Sequence, residues 1–334
     1  LIKPAFYITI LLMMLSLSVT AQQNLVVNGD FEEYSSCPQT VSYPAQSIKE
    51  IEKCIGWKAP TFGTSDYFNN CTSVPMISIP TNTCGEQTAF NGNGYLGAYF
   101  ASYEGGAGDD GYSDIYWWEY MQGHLTLPLK QGKLYKLSME ISLAEYSDLM
   151  ITEIGAYFSI NPISSPNTAP LSNSPQCVFF ETNHFQDTLN WMHLESYFIA
   201  NGGEQFVTIG NFRNGVTTDT LRRYDLSPGA LNPRVTYMYL DHVVLTDQSS
   251  QLPFANAFTP NGDGVNDLWK LTFSEKQGAK KVTILNRWGN IVHEGDLNDF
   301  SWDGKTANGS DCQDGVYFYR ISDTNIAGFI ELIR

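Results

Sequence analysis

"LYKLSMEISLA" runs from Leu134 to Ala144, and from Tyr135 to Leu143 every second residue is apolar: Tyr135, Leu137, Met139, Ile141 and Leu143. Side chains on an extended strand alternate between two faces, so this period of two predicts a β-strand with one face against a core. Reading outward, "IGAYFSI" (Ile154–Ile160), "QFVTIGNF" (Gln205–Phe212) and "TYMYLDHVVL" (Thr236–Leu245) are short runs of β-branched and aromatic residues. Gly, Asn, Pro and Ser bound them, as at strand ends. The one helical candidate is "AQSIKEIEKC", Ala45–Cys54. The expected class is all-β, at the strand spacing of sandwiches.

The chain has 334 residues, enough for a large β domain and a smaller one. Its formal net charge is -16. Such acidity repels nucleic-acid phosphates and anionic headgroups, so neither is expected as a partner. Residues 22–251 carry 10 Lys/Arg against 24 Asp/Glu, whereas residues 252–334 carry 8 against 11, which argues for two surfaces with different tasks. The polar stretch "TDQSSQLP" (Thr246–Pro253) follows a strong strand, and the domains are placed at 22–248 and 252–334. "NPISSPNTAPLSNSPQ" (Asn161–Gln176) reads as a long surface loop within the first.

At the N-terminus, Lys3 precedes an apolar stretch from Ala5 to Val19, and small residues stand at Val19 and Ala21. This is the pattern of a secretory signal peptide over residues 1–21, cleaved after Ala21. No other segment reads as a membrane span, so none is expected in the mature chain. An exported chain with six cysteines is expected to form disulfides. Cys37, Cys54, Cys71 and Cys84 allow three connectivities. The pairing favoured is Cys37–Cys71 with Cys54–Cys84, leaving Cys177 and Cys312 free or linked.

The first domain opens on "NLVVNGDFEEYSSCP" (Asn24–Pro38) and closes on "YLDHVVL" (Tyr239–Leu245). Between them stand "GWKAPTFGTSDYFNNC" (Gly56–Cys71), "GYLGAYF" (Gly94–Phe100) and "NGGEQFVTIGNF" (Asn201–Phe212). The set resembles the jelly-roll, galactose-binding-like domains of carbohydrate-binding modules and of exported Bacteroidetes surface proteins. The resemblance covers about Asn24 to Leu245 and implies a large jelly-roll sandwich. It also implies a structural calcium ion where first and last strands meet, with Glu32 and Asp241 as carboxylate ligands; two carboxylates alone equally describe ordinary strand-end acids. The run "YWWEY" (Tyr116–Tyr120) leaves two readings open. Tyr116, Trp117 and Trp118 can stack on the apolar faces of a glycan, or they can be core, and in a strand Trp117 and Trp118 point opposite ways. His124, His184, His193, His242 and His293 are scattered, and no HExxH or GxSxG motif occurs, so no catalysis is expected.

Near the C-terminus stands "FTPNGDGVNDLWK", Phe258–Lys270, followed by "VTILNRWGNIVHEG" (Val282–Gly295), "WDGKTANGSDCQDGVYFYRI" (Trp302–Ile321) and "GFIELIR" (Gly328–Arg334). This ordered set resembles the gliding-motility-associated C-terminal domain, the type B sorting domain of type IX secretion. The resemblance implies a small Ig-like β-sandwich recognised by an outer-membrane translocon and an associated barrel protein. The matching positions are Asn261, Gly262, Asp263, Gly264, Asn266, Asp267, Arg287, Trp288, Gly289, Trp302, Asp303, Gly304, Gly315 and Tyr317. Trp269, Trp288 and Trp302 are expected to fill its core. In the opening loop, glycines permit positive φ and Asn/Asp side chains cap backbone amides; the alternative is a calcium loop with Asp263 and Asp267 as ligands. The functional expectation is a secreted or cell-surface binding protein or adhesin, its jelly roll taking glycan or a surface partner. A structural component of a surface or gliding-motility assembly is the alternative, and a glycan-active enzyme the third class.

Overall fold

The computed structural model describes residues 23–42, 49–104, 115–214, 217–223, 234–248, 254–271, 273, 277 and 279–334, with backbone only at 103, 104, 115 and 116. The expected signal peptide, most of the loop after Tyr103 and the middle of the linker lie outside these residues. In the first domain the strands are β1 (Trp57–Lys58), β2 (Asp66–Asn69), β3 (Thr81–Asn82), β4 (Gly85–Glu86), β5 (Gly94–Glu104), β6 (Ile115–Tyr116), β7 (Tyr120–His124) and β8 (Leu134–Leu143). There follow β9 (Leu149–Ile151), β10 (Glu153–Ser159), β11 (Cys177–Phe180), β12 (Met192–Ile199), β13 (Phe206–Gly210), β14 (Thr220–Arg222) and β15 (Val235–Asp247).

Two antiparallel sheets face each other, a five-stranded one in the order β1-β7-β13-β10-β11 and a six-stranded one in the order β12-β8-β15-β5-β2. From β7 to β15 the chain passes repeatedly between the sheets, and that alternation makes the sandwich a jelly roll. The core between them holds Trp57, Trp118, Met121, Phe158, Val207 and Leu240 among others. A second aromatic cluster, with Phe68, Tyr95, Tyr237 and Tyr239, lies on the other face of the six-stranded sheet. It explains one departure from the sequence pattern. Beyond Lys136 the polar residues of β8 do not face solvent: Ser142 is fully buried and accepts a 2.7 Å hydrogen bond from Gln87, and Glu140 lies 2.6 Å from His193. Within the stretch expected to be helical, the described part is a single 3-10 turn, Glu50–Lys53.

The expected meeting of first and last segments is present. Asn24 donates to Val243 O and accepts from Leu245 N, both at 2.9 Å. Gly29 passes so close that a Cβ there would stand 2.0 Å from Val243 O, so no other residue fits. Cys37 and Cys71 are disulfide-bonded. The other expected bond is not formed, because Cys54 is buried in the inter-sheet core and Cys84 in the aromatic cluster on the far face. Cys177 and Cys312 are buried free thiols in different domains.

The second domain contains β16 (Ala257–Phe258), β17 (Trp269–Lys270), β18 (Lys281–Leu285), β19 (Ile291–Asp296), β20 (Ser301–Trp302), β21 (Gly315–Ile321) and β22 (Ala327–Leu332). A five-stranded sheet in the order β16-β22-β21-β18-β19 packs over the β17-β20 pair, with Trp269 and Trp302 in the core. Trp288 corrects the expectation. It sits at the tip of the β18–β19 hairpin, 73% exposed, because the turn Asn286–Asn290 carries it beyond the sheet. Leu134 and Ile199 of the first domain pack into this second core, and Gln277 accepts a 2.9 Å hydrogen bond from Ile199 N.

Candidate functional site

The outer face of the five-stranded sheet of the first domain is polar. Register places Lys58, Gln122, Thr208 and Tyr157 in one row across β1, β7, β13 and β10. His124, Phe206 and Ser159 form the next row. The long loop expected at Asn161–Gln176 folds over one end: Leu171 N donates to Tyr120 Oη, and Pro175 and Phe212 lie where a Cβ on Gly155 would be. Glycine at 155 therefore lets the loop sit flat against the sheet.

Two recesses open at opposite ends of these rows. One, about 280 Å³, is lined by Glu52, Lys58, Gln122, His124 and Phe206 among others. Gln122 is 1% exposed; its amide N donates to Thr208 Oγ1 at 2.8 Å, while its carbonyl oxygen has no partner. The other recess, about 400 Å³, is lined by Tyr157, Ser159, Ile160, Asn161, Ile163, Asn173, Gln176, Asn201 and Glu204 among others. Glu204 spends both oxygens on the backbone amides of Asn201 and Gly202, and Gln176 is tied to Phe158 at both ends. Three asparagine side chains remain free to meet a ligand beside the Tyr157 ring, and the Ser159 hydroxyl is buried without a partner.

The residues expected to bind ligand lie elsewhere. Trp118 is fully buried core, which removes it as a sugar platform. Trp117 is half-buried, and its indole N–H donates to Glu119 at 2.9 Å. The Tyr116 side chain lies outside the described residues. Sequence reasoning missed Gln122 and the three asparagines because nothing in a polar side chain says whether it is capped. A period-two reading of β7 and β13 would have put Gln122 and Thr208 on one face.

Glu32 and Asp241 come together around one turn. Asp241 Oδ2 accepts from Phe90 N and Asn91 N, at 2.8 and 3.2 Å. Glu32 accepts from Asn93 N and Gly94 N, at 2.6 and 3.0 Å. Gly92 between them has φ +74, and a Cβ there would strike the Glu32 carboxylate. Burial pushes the Asp241 carboxyl up to about 7, against hydrogen bonds from Asn91, His242 and Phe90, and the charge of Glu32 adds to the rise. Among the described residues no cluster of three or more His, Cys, Asp or Glu forms a metal site. The remaining oxygens are also engaged: Asp241 Oδ1 accepts from His242 N at 2.6 Å and Glu32 Oε2 from the Asn93 side-chain amide at 3.0 Å, and neither acid makes an ion pair with a cationic side chain among the described residues.

The loop after Phe258 spends its carboxylates on its own backbone. Asp267 accepts from Gly262 N at 2.6 Å and Gly264 N at 2.8 Å; Asp263 accepts from Val265 N at 2.8 Å and from the Asn261 amide at 3.0 Å. Gly262, Gly264 and Asn266 have positive φ. These are the contacts of a rigid turn, and they occupy the oxygens that a calcium loop would offer. Further along, Asp303 caps Lys305 N at 3.0 Å, Gly304 and Gly315 have positive φ, and the Tyr317 hydroxyl donates to Gln313 O.

Residues 252–330 match the family model of the CHU_C type IX secretion signal domain. The second domain is therefore a type IX secretion signal, and the chain is exported to the cell surface or the extracellular space. No helix among the described residues is long and apolar enough to cross a membrane. No curated protein matches the chain. Similar solved structures include the K1 cleaved adhesin domain of the Lys-gingipain of Porphyromonas gingivalis W83, with 14% identity over 57% of this chain and 90% of that chain, TM-score 0.29. They also include the CBM22-1 xylan-binding domain of Xyn10C from Paenibacillus barcinonensis, with 10% identity over 64% and 96%, TM-score 0.30. A third is a putative sugar binding protein of Bacteroides thetaiotaomicron, with 12% identity over 67% and 100%, TM-score 0.27. TM-scores this low give no ground for carrying a ligand over from any of these proteins.

Proposed function

We propose that the protein is a type IX-exported glycan-binding protein whose first domain takes a neutral oligosaccharide on the outer face of its five-stranded sheet. The observation that carries this reading is the recess of about 400 Å³ in which Asn161, Asn173 and Asn201 stand uncapped beside Tyr157. A sugar offers hydroxyls that donate and accept, which amide and hydroxyl side chains satisfy, and apolar C–H faces that suit an aromatic ring. The acidity of the chain, net -16, selects against anionic glycans. Binding rather than hydrolysis is supported by Glu204, whose two oxygens are held by backbone amides, since glycoside hydrolysis needs a pair of carboxyl groups across the scissile bond.

A structural calcium held by Glu32 and Asp241 belongs to the same proposal. It would neutralise the buried carboxylate and pin the turn after Ala89 to both ends of the domain. Chelation should then lower the melting temperature, and Asp241→Asn should abolish that response. The glycan reading is tested by calorimetry of the mature chain against a panel of neutral and anionic oligosaccharides. A neutral member should bind, and Asn173→Ala should weaken it about tenfold, as for loss of one buried hydrogen bond. Absence of binding to every sugar, in a chain that associates with envelope proteins, would return the assembly-component reading.

A further inference from the structure

The outer face of the second domain's sheet is apolar where that of the first is polar. Register aligns Phe329, Phe318, Leu285 and Ile291 in one row across β22, β21, β18 and β19. Phe318 is 46% exposed, Phe329 52% and Ile291 54%. Val316, two residues from Phe318, continues the patch, and Trp288 extends it at the hairpin tip. Among the described residues the first domain does not cover it, for its contacts fall on Gln277, Asn325 and the second core. A row of large exposed apolar side chains on a sheet calls for an occupant.

The flanking charges identify one. On one side of the apolar row, register gives Ala327, Arg320, Thr283 and Glu294 on the same four strands in the same order. On the other side, Glu331 is paired with Val316. Consider a two-fold axis passing between β21 and β18, parallel to the strands. It sets Phe318 over Leu285 and Phe329 over Ile291, large against smaller. It brings Arg320 of one copy beside Glu294 of the other on one flank. The face is thus complementary to itself in size and in sign, as an isologous interface requires.

We propose that this face associates with the same face of a second copy, through Phe318 and Phe329 with the Arg320–Glu294 pair as its charged edge. Strands about 4.8 Å apart and same-face residues about 6.8 Å apart give roughly 400 Å² per copy over three rows. That lies below the area of stable interfaces, so the dimer is weak and forms where copies are crowded. The net charge of -16 opposes approach only within about a Debye length, about 8 Å in physiological salt, because charges farther apart are screened.

The test is sedimentation of the mature full-length chain from about 1 to 500 µM at 0.15 M salt. The expected result is a concentration-dependent dimer. The association constant should fall at least tenfold in the Phe318→Ser, Phe329→Ser double variant, with the melting temperature unchanged because both side chains are exposed. Arg320→Glu should weaken the dimer, and adding Glu294→Arg should restore it. A monomer at the highest concentration, or a dimer indifferent to these changes, overturns the proposal. So does a monomeric wild type whose Phe318→Ser variant fails to be exported, since that outcome assigns the face to the export machinery.

Discussion

Two five-stranded sheets in this chain turn one face outward, and the faces differ in kind. In the first domain the outward rows read Lys58, Gln122, Thr208, Tyr157 and His124, Phe206, Ser159; a loop laid over Gly155 and a buried amide with a free oxygen leave hollows between polar walls. In the second the outward row is Phe329, Phe318, Leu285, Ile291, with nothing built over it among the described residues. A hollow with uncapped polar groups suits a small hydroxylated ligand, which must have its hydrogen bonds replaced. A flat apolar row suits another protein surface. The same architecture therefore presents two kinds of face, and the outward residues decide which.

The largest expected effect separates the domains. Deleting residues 252–334 should abolish export while leaving glycan affinity unchanged, because the recess lies wholly in the first domain. Leu134 and Ile199 lose their cover in the truncated chain, so its melting temperature should fall by several degrees. Fractionation and calorimetry on one preparation check both halves. Affinity lost with the second domain would show that the polar face depends on it.

Next in size is the Cys37–Cys71 bond, which closes a 34-residue separation. Cys37→Ser should cost the first domain about 2–4 kcal/mol in denaturant unfolding and leave the second untouched. An unchanged midpoint would mean that the bond constrains nothing. A smaller cost belongs to Gly264→Val. The site has φ +85 and open space around it, so a β-branched residue meets backbone strain alone, about 1–2 kcal/mol, confined to the entry turn. Export should decline while sugar binding holds.

A pH dependence of the first domain is expected as well. Burial pushes the Asp66 carboxyl up to about 7, the charge of Glu119 adds to the rise, and hydrogen bonds from Ser42 N and Tyr237 Oη oppose it; the Cys84 thiol lies close by. An acid with a raised pKa holds its proton in the folded state after the unfolded chain has lost it. Stability is therefore greatest below about 4, falls as the pH rises to about 7, and is level above that. Melting curves at pH 5 and pH 8 should show the higher value at pH 5. Asp66→Asn, which mimics the protonated acid, should shrink the gap, and an equal gap in the variant would remove Asp66 as its source.

The all-β class was legible because period-two runs such as Leu134–Leu143 admit no other reading. The second domain was legible because turn chemistry is local: Asp267 caps Gly262 and Gly264 from within a few residues. Long-range placement was not. Trp118 and Trp288 look alike in sequence, yet one is fully buried and the other 73% exposed, since a tertiary partner covers only the first. Cys54 and Cys84 belong to cores on opposite faces of one sheet, a separation that spacing does not encode. Glu32 and Asp241 face one turn because the two ends of the domain meet, whereas the recess asparagines stand out only once the neighbouring side chains are seen to be capped.

The central claim is that residues 252–334 carry the export function by themselves. The direct measurement fuses Ser250–Arg334 to an unrelated periplasmic protein in cells with a working type IX system and follows its distribution among periplasm, surface and medium. The fusion should reach the surface or the medium while the unfused protein stays in the periplasm. A fusion retained in the periplasm, in cells that export the full chain normally, would contradict the claim.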